Sequence, residues 1–172
     1  VFRLGWPAPA FLLAGKEFYV SATFLESVNT LQVAFIFQTV TGSIYEYLNL
    51  ANLNRKADEP ASTGVFVRVW QRFHEGGTYY EILACVAGVL GDMLPEFQHN
   101  SREKATRIVS HPKHVSSAQS RDDAERKYPG AIRGGPYIIS VSGLPQYLVE
   151  LFAIKIARRC GILLDEEAFA AL

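Results

Sequence analysis

The chain has 172 residues, 49% of them hydrophobic and 20% charged, which suits one folded domain with a real core and argues against a disordered chain. Lys plus Arg and Asp plus Glu both number 17, so no overall field draws the chain to nucleic acid or to an anionic membrane. The two cysteines, Cys85 and Cys160, have neither metal-type spacing nor the density of a disulfide scaffold, and they read as buried free thiols in a reducing compartment, with the cytoplasm as the expected location. The apolar run at 33–37 is too short to span a bilayer, so no membrane partner is expected.

Residues 1–22 hold Trp6, Pro7 and Pro9, then Phe11, Phe18 and Tyr19, and read as an extended arm ahead of a domain at 23–172. Thr23-Phe24-Leu25-Glu26 fits a capping box, and Leu25, Val28, Leu31 and Phe35 follow at helical spacing. That predicts a helix over about 24–40. Gly42 interrupts it and Ser43 to Glu46 repeats the capping pattern, so two helices in series and one long kinked helix fit equally well. Residues 54–63 are polar and contain Pro60, which marks a surface connection. In the next stretch Val65, Val67 and Val69 alternate with Phe66, Arg68 and Trp70, a strand with two unequal faces. Glycines at 76 and 77 supply a turn, and 79–88 returns as a second strand with Tyr80, Ile82, Ala84 and Val86 toward the core.

Residues 91–100 read as a loop, with Asn100 or Ser101 capping a helix at 101–110 that Pro112 stops. A short charged helix is expected at 120–127 and a glycine-rich approach at 128–135. A buried strand at 137–141 then meets a Ser142-Gly143 turn and a helix whose first turn carries Pro145, where the missing N–H costs nothing. Arg158 and Arg159 suit the carbonyl end of that helix and Gly161 its cap. A last short helix at 162–172 is expected to pack by Leu163, Leu164 and Phe169. Strands and helices do not alternate strictly, so the fold class is α+β, an antiparallel sheet covered by helices.

Val141-Ser142-Gly143-Leu144-Pro145-Gln146 resembles the VSGLPQ segment of the haem-degrading-domain proteins, small profilin-like proteins of bacteria and fungi. Leu94-Pro95 to Asn100 with Arg102 and Lys104, the serines Ser116 and Ser117, and Gly134-Gly135 resemble other parts of that family in the same order. Where the family's last helix opens with acidic residues and often a histidine, this chain has Tyr147, Leu148, Val149 and Glu150. The family's further strand and turn before the final strand are expected to be compressed here. The resemblance implies a profilin-like fold and haem, or a related tetrapyrrole, as ligand; a homodimer is also expected.

Arg102, Lys104, Arg107, His111, Lys113 and His114 form a cationic run opposed locally only by Glu103. Such a run is either a solvated basic face or a grip for carboxylates, with arginine binding them in a bidentate way. His111 or His114 is then a candidate iron ligand, although Pro112 between them argues against a preformed metal site. Glu150 has Gln146, Tyr147, Ala153 and Ile154 as helical neighbours and no cation among them, so its carboxyl is expected to titrate high and to suit acid/base work. Tyr79, Tyr80, Phe66 and Trp70 either line an apolar cavity or fill the core. The main expectation is a protein binding a mostly apolar small molecule with an anionic end. The alternative is a cofactor-free isomerase or cyclase of metabolite biosynthesis with Glu150 as acid/base.

Overall fold

The computed structural model describes residues 22–24, 30–56 and 60–170. Its strands are β1 (Ala22–Phe24), β2 (Gly64–Arg72), β3 (Tyr79–Gly88), β4 (Ala131–Gly134) and β5 (Tyr137–Ser142). Its helices are α1 (Thr30–Leu53), α2 (Leu94–Ser110), α3 (Gln146–Arg159) and α4 (Glu166–Ala170). The strands form one sheet in the order β1-β3-β2-β5-β4, every neighbouring pair antiparallel. The α+β expectation holds.

Period-2 alternation decides which helix covers which face. Val65, Val67 and Val69 of β2, with Ile139 and Val141 of β5, are fully buried under α1 and α3. The opposite face of the same strands carries Arg68, Trp70, Ile138, Ser140 and Ser142, and α2 lies over it. Its apolar part is small, Ala105, Ile108, Ala131 and Ile138, so α2 is held largely by polar contacts.

The first helix differs from the expectation in start and in phase. Thr23 belongs to β1 and pairs with Ala84, while Glu26 lies outside the described residues, as does the arm at 1–21. The buried stripe of α1 is Val33, Ile36, Val40, Ile44, Tyr47, Leu48 and Ala51; Leu31 is 82% exposed and Phe35 49%. Apolar residues occur on nearly every side of this segment, so spacing alone does not choose the buried one. Gly42 sits on the solvent side, with nothing within 4 Å of where a Cβ would stand, and the helix runs through it as one element.

In β3 the expected core side holds only at Ile82. Val69 pairs with Leu83 and Trp70 with Glu81, which leaves Ile82 as the extra residue of a bulge. The bulge shifts the phase, so Leu83, Cys85 and Ala87 enter the core instead of Ala84 and Val86. Tyr80 is 51% exposed.

Three further expectations are corrected. The segment at 91–100 is not a loop: after a 3-10 turn (Gly91–Met93), α2 begins at Leu94 with Pro95 in its first turn, where proline is tolerated. No helix forms at 120–127. Ser116 and Gln119 cap a 3-10 turn (Ser117–Ser120), and the Asp122 carboxylate accepts from the Ala124 and Glu125 amides, a local bond that competes with helix. The glycine-rich approach contains a strand, β4, which forms a hairpin with β5 through Gly135 and Pro136.

The strand–turn–helix corner at the C-terminal end is as expected. Gly143 has φ 108°, and a Cβ there would stand 2.6 Å from the Gly64 carbonyl oxygen. At the far end of α3, Gly161 has φ 65°, its amide donates to Arg158 O and the Ile162 amide donates to Ala157 O, a Schellman cap. Ile162, Leu164 and Phe169 pack on the core, whereas Leu163 is 83% exposed.

Candidate functional site

The cationic run lies on α2, and the helix divides it. Residues 99, 102, 103, 106, 107, 110 and 111 recur every three or four positions and line an open groove of about 370 Å³ on the outer side of α2. Ser101, Lys104, Ala105 and Ile108 face the sheet. A run of charge in one dimension is therefore two separate sets in three.

Lys104 is the residue most displaced from its expected role. It is 4% exposed, and its Nζ lies 2.9 Å from Val141 O and 3.1 Å from Ser142 Oγ. Burial, aided by the nearby Arg107 guanidinium, holds its pKa down to about 7. It does not face the groove.

Arg107 borders the groove but is already engaged. Its guanidinium donates to Ser117 O (3.1 Å), Ser120 O (2.7 Å) and Tyr128 O, and Nε stands 2.6 Å from Glu103 Oε1. It holds the irregular 117–128 segment against α2, so the expected grip on a ligand is corrected to a structural one. Arg102 is exposed and has no hydrogen bond or ion pair among the described residues.

His111 caps the C-terminal end of α2. Its Nδ1 is 2.7 Å from Arg107 O, and a carbonyl only accepts, so Nδ1 carries the proton and the Nε2 lone pair is left for another partner. The His114 ring stacks on it at 4.6 Å between centroids and 10° between planes. Burial first, then His111 and Arg133, push the His114 pKa down. Arg133, on β4, donates to the carbonyls of Ile108, His111 and Pro112 and so holds the histidine loop to the helix end. Among the described residues no group of three or more His, Cys, Asp or Glu could hold a metal ion.

Glu150 stands apart, on α3 and over the other face of the sheet. Burial pushes its carboxyl pKa up, and a hydrogen bond with the Ser116 side chain works against that. Neither the α2 groove nor a second hollow of about 210 Å³, between the end of α1 and Pro145 and Tyr147, includes it. Because the folded carboxyl binds its proton more tightly than the unfolded one, its stabilising contribution is present below the ordinary carboxylate range and lost as pH rises through the folded pKa. Glu150→Gln should therefore gain stability over wild type as pH rises above the ordinary carboxylate range, read as a growing gap in thermal melting midpoints.

The aromatic residues of the hairpin line neither hollow. Phe66 is buried beneath the Arg68 guanidinium, 5.3 Å from its centroid, and Trp70 and Tyr79 pack against Ala105 and Ile138. Arg68 itself, 5% exposed, pairs with Glu81 and donates to Ser101 Oγ at 3.3 Å. A charged residue in the middle of an alternating strand was the sequence signal for this ion pair.

No known family, no curated protein and no solved structure matches this chain.

Proposed function

We propose that the chain is a small-molecule-binding domain whose ligand carries a carboxylate, held in the groove on the outer side of α2. The observation that carries this reading is the charge of the groove. Among the described residues Arg102 has no hydrogen bond or ion pair, His99 and His111 flank it, and Glu103, the one carboxylate lining the groove, is paired with Arg107. An arginine with free N–H groups and a histidine with an outward lone pair are suited to an anionic group and to a hydroxyl or metal beside it. Calorimetric titration with citrate should show saturable binding that weakens about tenfold in Arg102→Ala, the worth of one charge-assisted hydrogen bond. Absence of saturable citrate binding to wild type would count against the groove.

Haem is the ligand that the resemblance implies, within a profilin-like fold. His111 Nε2 suits iron and Arg102 suits a propionate, but none of the seven groove side chains is apolar, so one protomer leaves the macrocycle faces uncovered. A second copy across the groove, as in the expected homodimer, would have to cover them. On titration with haemin this version predicts a Soret band that His111→Ala abolishes and His114→Ala leaves in place.

The cofactor-free isomerase or cyclase is the second reading. The raised carboxyl of Glu150 and its bond to Ser116 favour it. Neither of the two hollows is lined by that carboxyl, which ranks this reading lower.

A further inference from the structure

The ligand reading leaves the buried lysine unused. Lys104 reaches β5 through one nitrogen, which meets one carbonyl and one hydroxyl. Hydrogen-bond counting separates its two protonation states. A neutral amine has two N–H groups, one for Val141 O and one for Ser142 Oγ, so both contacts are matched with no N–H left over. An ammonium has three N–H groups for the same two oxygens.

The surrounding charges do not favour the ammonium. β2 contributes Arg68, whose guanidinium is bound to Glu81 of β3, and β4 contributes Arg133, turned to the carbonyls at the end of α2. β5 presents only Ser140, Ser142 and backbone, and the Ser117–Ser120 turn presents no charged side chain. Asp92 lies in the exposed turn before α2. On α2 itself stand Arg102, Arg107 and Glu103, the last already paired with Arg107. Neither Glu81 nor Glu103 makes an ion pair with Lys104; Arg107 opposes its charge and Glu103 offsets part of that, so burial is what chiefly disfavours the ammonium.

We infer that Lys104 is a proton-operated latch: the neutral amine holds α2 down on the end of β5, and protonation favours a state in which α2 has lifted from the sheet. The thin apolar contact under α2 makes this helix the layer that such a charge can move. The direction follows from linkage. Released lysine titrates near its ordinary value of 10.5 and the docked one near 7. Release is therefore promoted as pH falls from the upper value to the lower, and levels off below it. The inference does not depend on any ligand in the outer groove.

Native-state hydrogen exchange on the full chain tests it. After correction for intrinsic exchange, the amides of Ala105 and Ile108 should be about 50-fold better protected at about pH 9 than at about pH 7, and at the lower pH less protected than those of α1. Lys104→Met should remove the pH dependence. Equal wild-type protection at both pH values, or the same dependence in Lys104→Met, would overturn the latch. Should that variant not fold, NMR titration of the Lys104 Cε in wild type decides: a midpoint near neutrality supports the inference, and one at the ordinary lysine value overturns it.

Discussion

Arg107→Met should destabilise the protein by about 3–5 kcal/mol, the cost of removing a buried charge whose two terminal nitrogens are hydrogen-bonded. The methionine keeps most of the volume, so the loss isolates the guanidinium. Three carbonyls lose their donor at once, those of Ser117, Ser120 and Tyr128, and the Glu103 carboxylate loses its ion-pair partner. Each acceptor left unmatched away from water costs roughly 1–3 kcal/mol, and partial rehydration of the segment returns some of it. The 117–128 segment has no regular element beyond one 3-10 turn, so this arginine substitutes for secondary structure. Urea unfolding should show the midpoint falling at unchanged slope. Limited trypsin digestion should cut the variant at Arg121, Arg126 or Lys127 under conditions that leave wild type intact. A midpoint within the error of wild type would mean that the segment holds itself.

The second large effect is expected at the corner between β5 and α3. Gly143→Ala should cost about 4 kcal/mol, because a side chain at φ 108° is strained and its Cβ would meet the Gly64 carbonyl at 2.6 Å. The atoms it meets are backbone of the central strand β2, which cannot yield without moving the sheet. Gly42→Ala is the control. It lies on the solvent side of α1 with open space around it, and should instead stabilise by about 0.5–1 kcal/mol. Thermal melts of the two variants should move in opposite directions. A tolerated alanine at 143 would show that the corner rearranges freely.

What could be read from the residues was mostly local. The β2–β3 hairpin, β5, the glycine corner and the Arg158-Arg159-Gly161 helix end each carry their own cue, in alternation, in proline or glycine placement, or in charge at a dipole end. The misread features depend on partners far away in the chain. The bulge at Ile82 is invisible in an apolar run, because every residue of 82–87 is compatible with either face. β4 is four residues long and pairs only because β5 lies beside it. The start of α2 carries no capping side chain, so only Pro95 hinted at it.

The candidate site shows the same limit. Positive charge on α2 was legible as a run, but its division into an outer groove and a buried lysine follows from which side of the helix meets the sheet. The polar residues under α2, Arg68, Ser140 and Ser142, look unremarkable in sequence and acquire their meaning from Ser101 and Lys104 opposite them. Arg133 as the clasp of the histidine loop had no local signal. The Glu150 carboxyl is shifted in the expected direction, yet nothing in the chain foretold that its partner would be Ser116.

Mapping amide shifts of the isotope-labelled protein during a citrate titration tests the central claim most directly. The account predicts saturable shifts concentrated at 99–111 on α2, reduced in Arg102→Ala. Shifts confined to the crevice beside Pro145 and Tyr147, or no saturable shifts at all, would contradict it.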